Sequence, residues 1–157
     1  MSEFTQPTPE AASQSNRAAI AKATPGVIGS ARWFWWIAGL SIVNTVLIHS
    51  GSDTSFIVGL GFTLVADAVF REIMAIALIL DVMAIGVFIA LGFFAQKGHL
   101  WAFITGGILY LFDGLIYVYF QDWLPVAFHA YVLYSLFSGF KTLKTALNEN
   151  TPPPLTA

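Results

Sequence analysis

Four polar side chains stand in apolar runs that would ordinarily exclude them: Asn44, Asp81, Asp113 and His129. Two carboxyl groups and an imidazole brought together can take up and release a proton. Imidazole changes charge near neutral pH, and two neighbouring acids do not ionise independently. The same three groups offer oxygen and nitrogen donors to a divalent cation. Neighbours at helical spacing enlarge the set. Tyr110, Asp113 and Tyr117 share one helical face, and Ser41, Thr45 and His49 form an i, i+4 ladder beside Asn44. The candidate proton- or cation-binding residues are therefore Asp81, Asp113, His129, Asn44 and Tyr117, with Asp81, Asp113 and His129 the candidate metal ligands. The competing reading is structural: Asp113 fixes helix register through Tyr and Asn, and Asp81 forms a buried pair with His129.

These residues need elements that hold them, and composition identifies the class. Of 157 residues, 57% are apolar and only 10% charged, and mean hydropathy is +0.72. A soluble domain is about 25% charged. Seven Lys+Arg against nine Asp+Glu exclude a basic nucleic-acid binder. The absence of Cys excludes disulfides, Cys-ligated zinc, iron–sulfur clusters and thiol chemistry. The expected fold is all-α: an integral membrane four-helix up-down bundle with both termini cytoplasmic, and one additional amphipathic helix on the outer side.

A spanning helix needs about 20 mostly apolar residues. Four stretches qualify, about 33–50, 73–95, 100–120 and 124–140. The second contains Asp81 but also 13 Leu, Ile, Val or Phe residues. At roughly −0.3 to −0.6 kcal/mol each, these outweigh roughly +3 kcal/mol for the acid. Residues 56–70 are too short to cross. In them Ser55, Gly59, Thr63, Asp67 and Arg71 recur every four positions as one stripe, Asp67 and Arg71 form an i, i+4 pair, and Ser52, Asp53 and Thr54 are N-cap residues. This predicts an amphipathic helix over about 54–71, at the membrane surface or leaning into it. Residues 1–29 and 148–157 are polar, small or proline-rich and are expected to be disordered tails; no apolar core follows a basic start, so 1–29 does not read as a signal peptide.

Charge placement fits four spans. With the N-terminus inside, Arg17, Lys22, Arg32, Lys97, Lys141 and Lys144 face the cytoplasm and only Arg71 faces out. Trp33, Trp35, Trp36, Trp101 and Trp123 fall at span edges, as an aromatic belt requires. Gly86 and Ala90 on the second span, and Gly106, Gly107 and Gly114 on the third, offer close helix approach. The helical rise places Asp81 and Asp113 ~13 Å below the outer surface, and Asn44 and His129 ~10 Å below it. The four thus share one layer, expected to form a polar cavity open to the outside, with Asp53 and Asp122 near its mouth.

Three functions follow from this picture. One is a small membrane protein that handles a proton or cation at the polar layer. Another is a non-catalytic accessory or assembly subunit of a larger membrane complex. The third is a membrane enzyme with a metal or a haem at the same layer, the haem ligands being His49 and His129. The outer loops are short, which weighs against an enzyme acting on a soluble substrate. Asp113 lies in LFDG and Asp81 follows LIL, neither of them an intramembrane aspartyl protease motif. The expected partners are the lipid bilayer and a membrane protein or second copy of the chain. The segment DWLPVAFH at 122–129 resembles small bacterial membrane proteins, and the expected location is a bacterial inner (cytoplasmic) membrane.

Overall fold

In the computed structural model, residues 8–50, 59–70 and 73–150 are described, with the side chains of Ile48 and His49 left aside. Six helices and no strand occur among them: α1 Pro9–Ala23, α2 Pro25–His49, α3 Gly61–Val69, α4 Met74–Gln96, α5 Leu100–Tyr119 and α6 Trp123–Glu149. Three are long and apolar enough to cross a membrane: Pro25–Leu47 within α2, then α4 and α5. The 27-residue α6 is not among them. Its Pro125, His129, tyrosines and serines dilute its apolar content.

The fold departs from expectation first at the N-terminus. Residues 9–23 form a helix where a disordered tail is expected. The local chemistry explains it. Thr8 accepts the Ala11 N–H at 3.3 Å, Pro9 opens the helix, Glu10 lies in the first turn and Lys22 in the last. Six of its 15 residues are alanine, the best helix former. The helix also has somewhere to dock. Ala21 is fully buried, and the α4–α5 turn comes so close that a Cβ on Gly98 would stand 2.6 Å from the Arg17 carbonyl oxygen. Gly98 has φ +79°, so glycine is required there on both counts. The second helix likewise starts at Pro25, eight residues before the expected span, with Val27 and Ala31 in the core.

Helix α2 packs on α4 and α6, and α5 packs on the same two helices. Phe34, Phe88, Phe103 and Tyr110 meet at the centre, with ring centroids 6.0–6.4 Å apart. Two glycines admit this closeness: a Cβ on Gly106 would overlap the Phe34 ring, and one on Gly139 would overlap Ser30. Gly86 and Ala90 do not serve that end; both are exposed, and nothing lies within 4 Å of a Cβ built on Gly86. Outward on α4 and α5 stand Met74, Ile79, Val82, Met83, Phe112 and Leu115, each half or more exposed.

The short helix α3 reverses the expected amphipathicity. It packs against α4 and α5. Its small and polar stripe, Gly59, Thr63 and Asp67, turns inward, with Thr63 fully buried. Phe62 and Val69 face out. Small residues let the segment sit close to its neighbours, and the apolar ones cover its free side. The remainder of the expected 54–71 helix, including Ser52, Asp53, Thr54, Ser55 and Arg71, lies outside the described residues.

Candidate functional site

The polar layer is built around a stretch of backbone. Residues 59–62 enter α3 from a non-helical conformation, and their N–H and C=O groups are deep among the helices. Buried peptide groups need partners. Leu60, at the N-cap position, gives α3 no side-chain hydrogen bond. The partners come from other helices. Asp113 of α5 accepts the Gly61 N–H on Oδ2 at 2.9 Å and the Phe62 N–H on Oδ1 at 2.8 Å. Ser41 of α2 accepts the Leu60 N–H at 3.1 Å. Tyr117 of α5 donates its hydroxyl to the Gly59 carbonyl at 3.0 Å. A carboxylate facing the first N–H groups of a helix also complements the positive end of its dipole. Asp113 is thus the N-cap of α3, supplied from another part of the chain.

The imidazole of His129 completes the group. Its Nδ1 lies 2.8 Å from the Pro125 carbonyl oxygen, one turn earlier on α6. A carbonyl only accepts, so Nδ1 carries hydrogen. Its Nε2 lies 3.0 Å from Asp113 Oδ2, also an acceptor when ionised. Two acceptors cannot face each other at that distance, so one further proton stands between them. The pair is imidazolium with carboxylate, or neutral imidazole with carboxylic acid. Two backbone N–H groups donate to Asp113, which suits the carboxylate form. The Tyr110 ring stacks on the imidazole at 4.2 Å and 13°, and Tyr117 lies 5.1 Å away at a tilt, faces that suit an imidazolium. Among the described residues the buried Tyr110 hydroxyl has no hydrogen-bond partner.

The five sequence candidates are therefore sorted rather than gathered. All are buried, none exposing more than 6% of its surface. Asp113, His129 and Tyr117 form one cluster on residues 59–62. Asn44 flanks it, 3.2 Å from where a Cβ on Gly59 would stand. Asp81 is engaged elsewhere: its Oδ2 accepts the Thr45 hydroxyl at 2.8 Å, joining α4 to α2. Among the described residues no three His, Asp or Glu stand close enough together to hold a metal ion. The His49 side chain lies outside the described residues, and with it the two-histidine haem arrangement.

Among the described residues, 59–62 stand between the helices at the Asp113, Tyr117 and Ser41 side chains. The cavity that touches Asp113, about 310 Å3, is otherwise lined by Leu60, Phe62, Phe88, Phe112 and other apolar groups. Sequence reasoning missed Ser41 as a backbone acceptor and Gly61 as a close approach. A Cβ on Gly61 would stand 2.9 Å from the Tyr117 ring and 3.3 Å from the Asp113 carbonyl oxygen. The signal for Ser41 was its place one turn before Thr45; nothing in the spacing marks Gly61.

Compared with known proteins, the chain matches no family model, and no curated protein or solved structure is similar to it.

Proposed function

We propose that the chain is an integral membrane protein of four spans, with both termini on the cytoplasmic side of a bacterial inner membrane, which binds one proton at the Asp113–His129 pair and couples that proton to the seating of α3. The observation that carries the reading is the 3.0 Å contact of two buried acceptors, with Nδ1 already committed to a carbonyl. A proton held there keeps the carboxylate on the α3 N-terminus neutralised by its neighbour. Removal of that proton leaves a carboxylate facing an imidazole lone pair, a repulsion that either unseats Asp113 from α3 or turns the imidazole.

The topology draws on charge and packing together. Arg17 and the α4–α5 turn meet at one end of the molecule with the end of α6, which supports a common side for Arg17, Lys97 and Lys144. The α5–α6 turn at Gln121 and Asp122 lies at the other end. As the fourth span, α6 keeps its polar His129 and Pro125 turned inward, where hydrocarbon does not meet them.

Proton binding is tested with purified protein in proteoliposomes, by pH-jump titration with an indicator dye. The wild type takes up a proton at the pair in addition to what its exposed groups bind. Asp113→Asn and His129→Gln remove that uptake, and Asp81→Asn keeps it. Equal uptake in all three variants ends the proposal.

One observation favours a second reading, an accessory subunit that packs against another membrane protein. The outward face of α6 carries Tyr131, Tyr134 and Ser138, hydroxyls that lipid leaves unsatisfied, whereas α4 shows only apolar groups there. Purification in mild detergent would then bring a stoichiometric partner with the chain; a homogeneous single species removes this reading.

A further inference from the structure

The imidazole of His129 sits in a cradle made by one face of α5. Tyr110, Asp113, Gly114 and Tyr117 stand at i, i+3, i+4 and i+7 on that helix, a buried stripe turned to α6. Each meets a different side of the ring. Tyr110 covers one face, its own ring 4.2 Å away and 13° from parallel. Tyr117, two turns further along, leans over from 5.1 Å. Asp113 meets Nε2 at 3.0 Å. Gly114 lies under the inner edge: a Cβ built on it would stand 3.2 Å from His129 Cβ and Cδ2 and 3.3 Å from Cγ. Carbon atoms rest at about 3.5–4.0 Å, so a side chain there pushes the histidine back. The walls are themselves fixed. Tyr110 is backed by Phe88 of α4, edge to face at 6.1 Å. Tyr117 is tied through its hydroxyl to the Gly59 carbonyl at 3.0 Å. The Pro125 carbonyl holds Nδ1 at 2.8 Å. The direction left for retreat is away from α5, and Asp113 belongs to α5.

We infer that Gly114 is a positioning residue for the Asp113–His129 pair: its missing side chain lets the imidazole reach the carboxylate, and Tyr110 and Tyr117 keep the ring from turning out of that contact. The inference rests on the proposed proton-binding pair and adds what holds it at bonding distance. A charge-assisted hydrogen bond depends on close approach, and a retreat of a few tenths of an ångström from 3.0 Å weakens it. With the ring held on both sides, a change at the pair is passed through Asp113 to the Gly61 and Phe62 N–H groups of α3 rather than absorbed by rotation of the imidazole.

Nitrogen-15 NMR of the intact, histidine-labelled chain in lipid reads both the contact at Nε2 and the motion of the ring. In Gly114→Ala the Nε2 signal leaves its wild-type position while Nδ1 keeps its hydrogen. Gly107→Ala, whose methyl meets nothing within 4 Å, matches the wild type. Gly92→Ala sets a methyl 3.0 Å from Phe34 Cβ where α4 meets α2, a clash at least as tight, and leaves the Nε2 signal in place. The wild-type ring is as rigid as ordered backbone, with an order parameter of ~0.85; Tyr110→Leu loosens it and Tyr110→Phe does not. This second measurement stands even if Gly114→Ala fails to fold. An Nε2 signal moved by Asp113→Asn but not by Gly114→Ala overturns the role of Gly114 and leaves the pair intact. An equal shift in Gly92→Ala overturns it as well, and a wild-type order parameter below ~0.6 removes the cradle. A signal that Asp113→Asn does not move removes the pair itself, and this inference with it.

Discussion

At the scale of residues, the account rests on unequal roles for groups that look alike in the chain. Asp113 serves two backbone N–H groups and His129, so its replacements have graded effects. Asparagine keeps one acceptor oxygen but turns an NH2 toward a backbone N–H or the imidazole; Asp113→Asn is expected to destabilise the protein by ~1–3 kcal/mol. Alanine leaves the α3 N-terminus and His129 without their partner, and ~3–5 kcal/mol is expected. Thermal unfolding in one detergent would rank them. A smaller loss for alanine than for asparagine contradicts the assigned bonds. Tyr110 offers the opposite case. Its ring stacks on His129, but its hydroxyl makes no described hydrogen bond. Tyr110→Phe is therefore expected to be neutral or slightly stabilising, since it removes a buried polar group that gains nothing. A loss above ~1 kcal/mol would show that the hydroxyl has a partner.

Among the elements, α3 is the part whose position depends on others. Nine residues are too few for a helix to hold itself. Its entry is fixed by Ser41, Asp113 and Tyr117 rather than by its own residues. Gly61→Ala places a methyl against the Tyr117 ring and the α5 backbone. Overpacking of this kind costs ~1–3 kcal/mol, here concentrated on the docking of α3. Hydrogen exchange would show faster exchange across residues 61–69 with α5 unchanged; a uniform change across both helices counts against α3 as a separately seated element. This is also where the sequence was hardest to read. The 1.5 Å rise gives an expected depth, the same for Asp81 and Asp113. Which way each points depends on helix rotation, and so Asp81 turns to Thr45 while Asp113 turns to α3 and His129. The real partners of Asp113 are backbone N–H groups, which have no letter in the sequence. Likewise α1 shares its Ala, Ser and Gln content with disordered chain, and what distinguishes it is Ala21 packing on the α4–α5 turn.

For the whole molecule, apolar content made α4 and α5 plain, because 23 and 20 residues with one acid each leave little choice. The proposed fourth crossing, α6, is less plain: His129 and Pro125 lower its apolar content and are groups turned inward. The absence of Cys makes the proposed topology directly testable. Single cysteines at Gln14, Lys97 and Asn148 should react with an impermeant maleimide only after the membrane is opened, and one at Gln121 should react in sealed cells. Labelling of Lys97→Cys and Gln121→Cys from the same side rules out a crossing by α5 and with it the four-span arrangement.

The most direct measurement is the protonation of the His129 ring itself, by 15N NMR of histidine-labelled protein in lipid, with His129→Gln assigning the signal. The account predicts that Nδ1 carries hydrogen and that Nε2 shares a proton with Asp113. In Asp113→Asn the Nε2 signal should move while Nδ1 keeps its hydrogen. A neutral ring with hydrogen on Nε2 and none on Nδ1, or an Nε2 signal unchanged by Asp113→Asn, would contradict it.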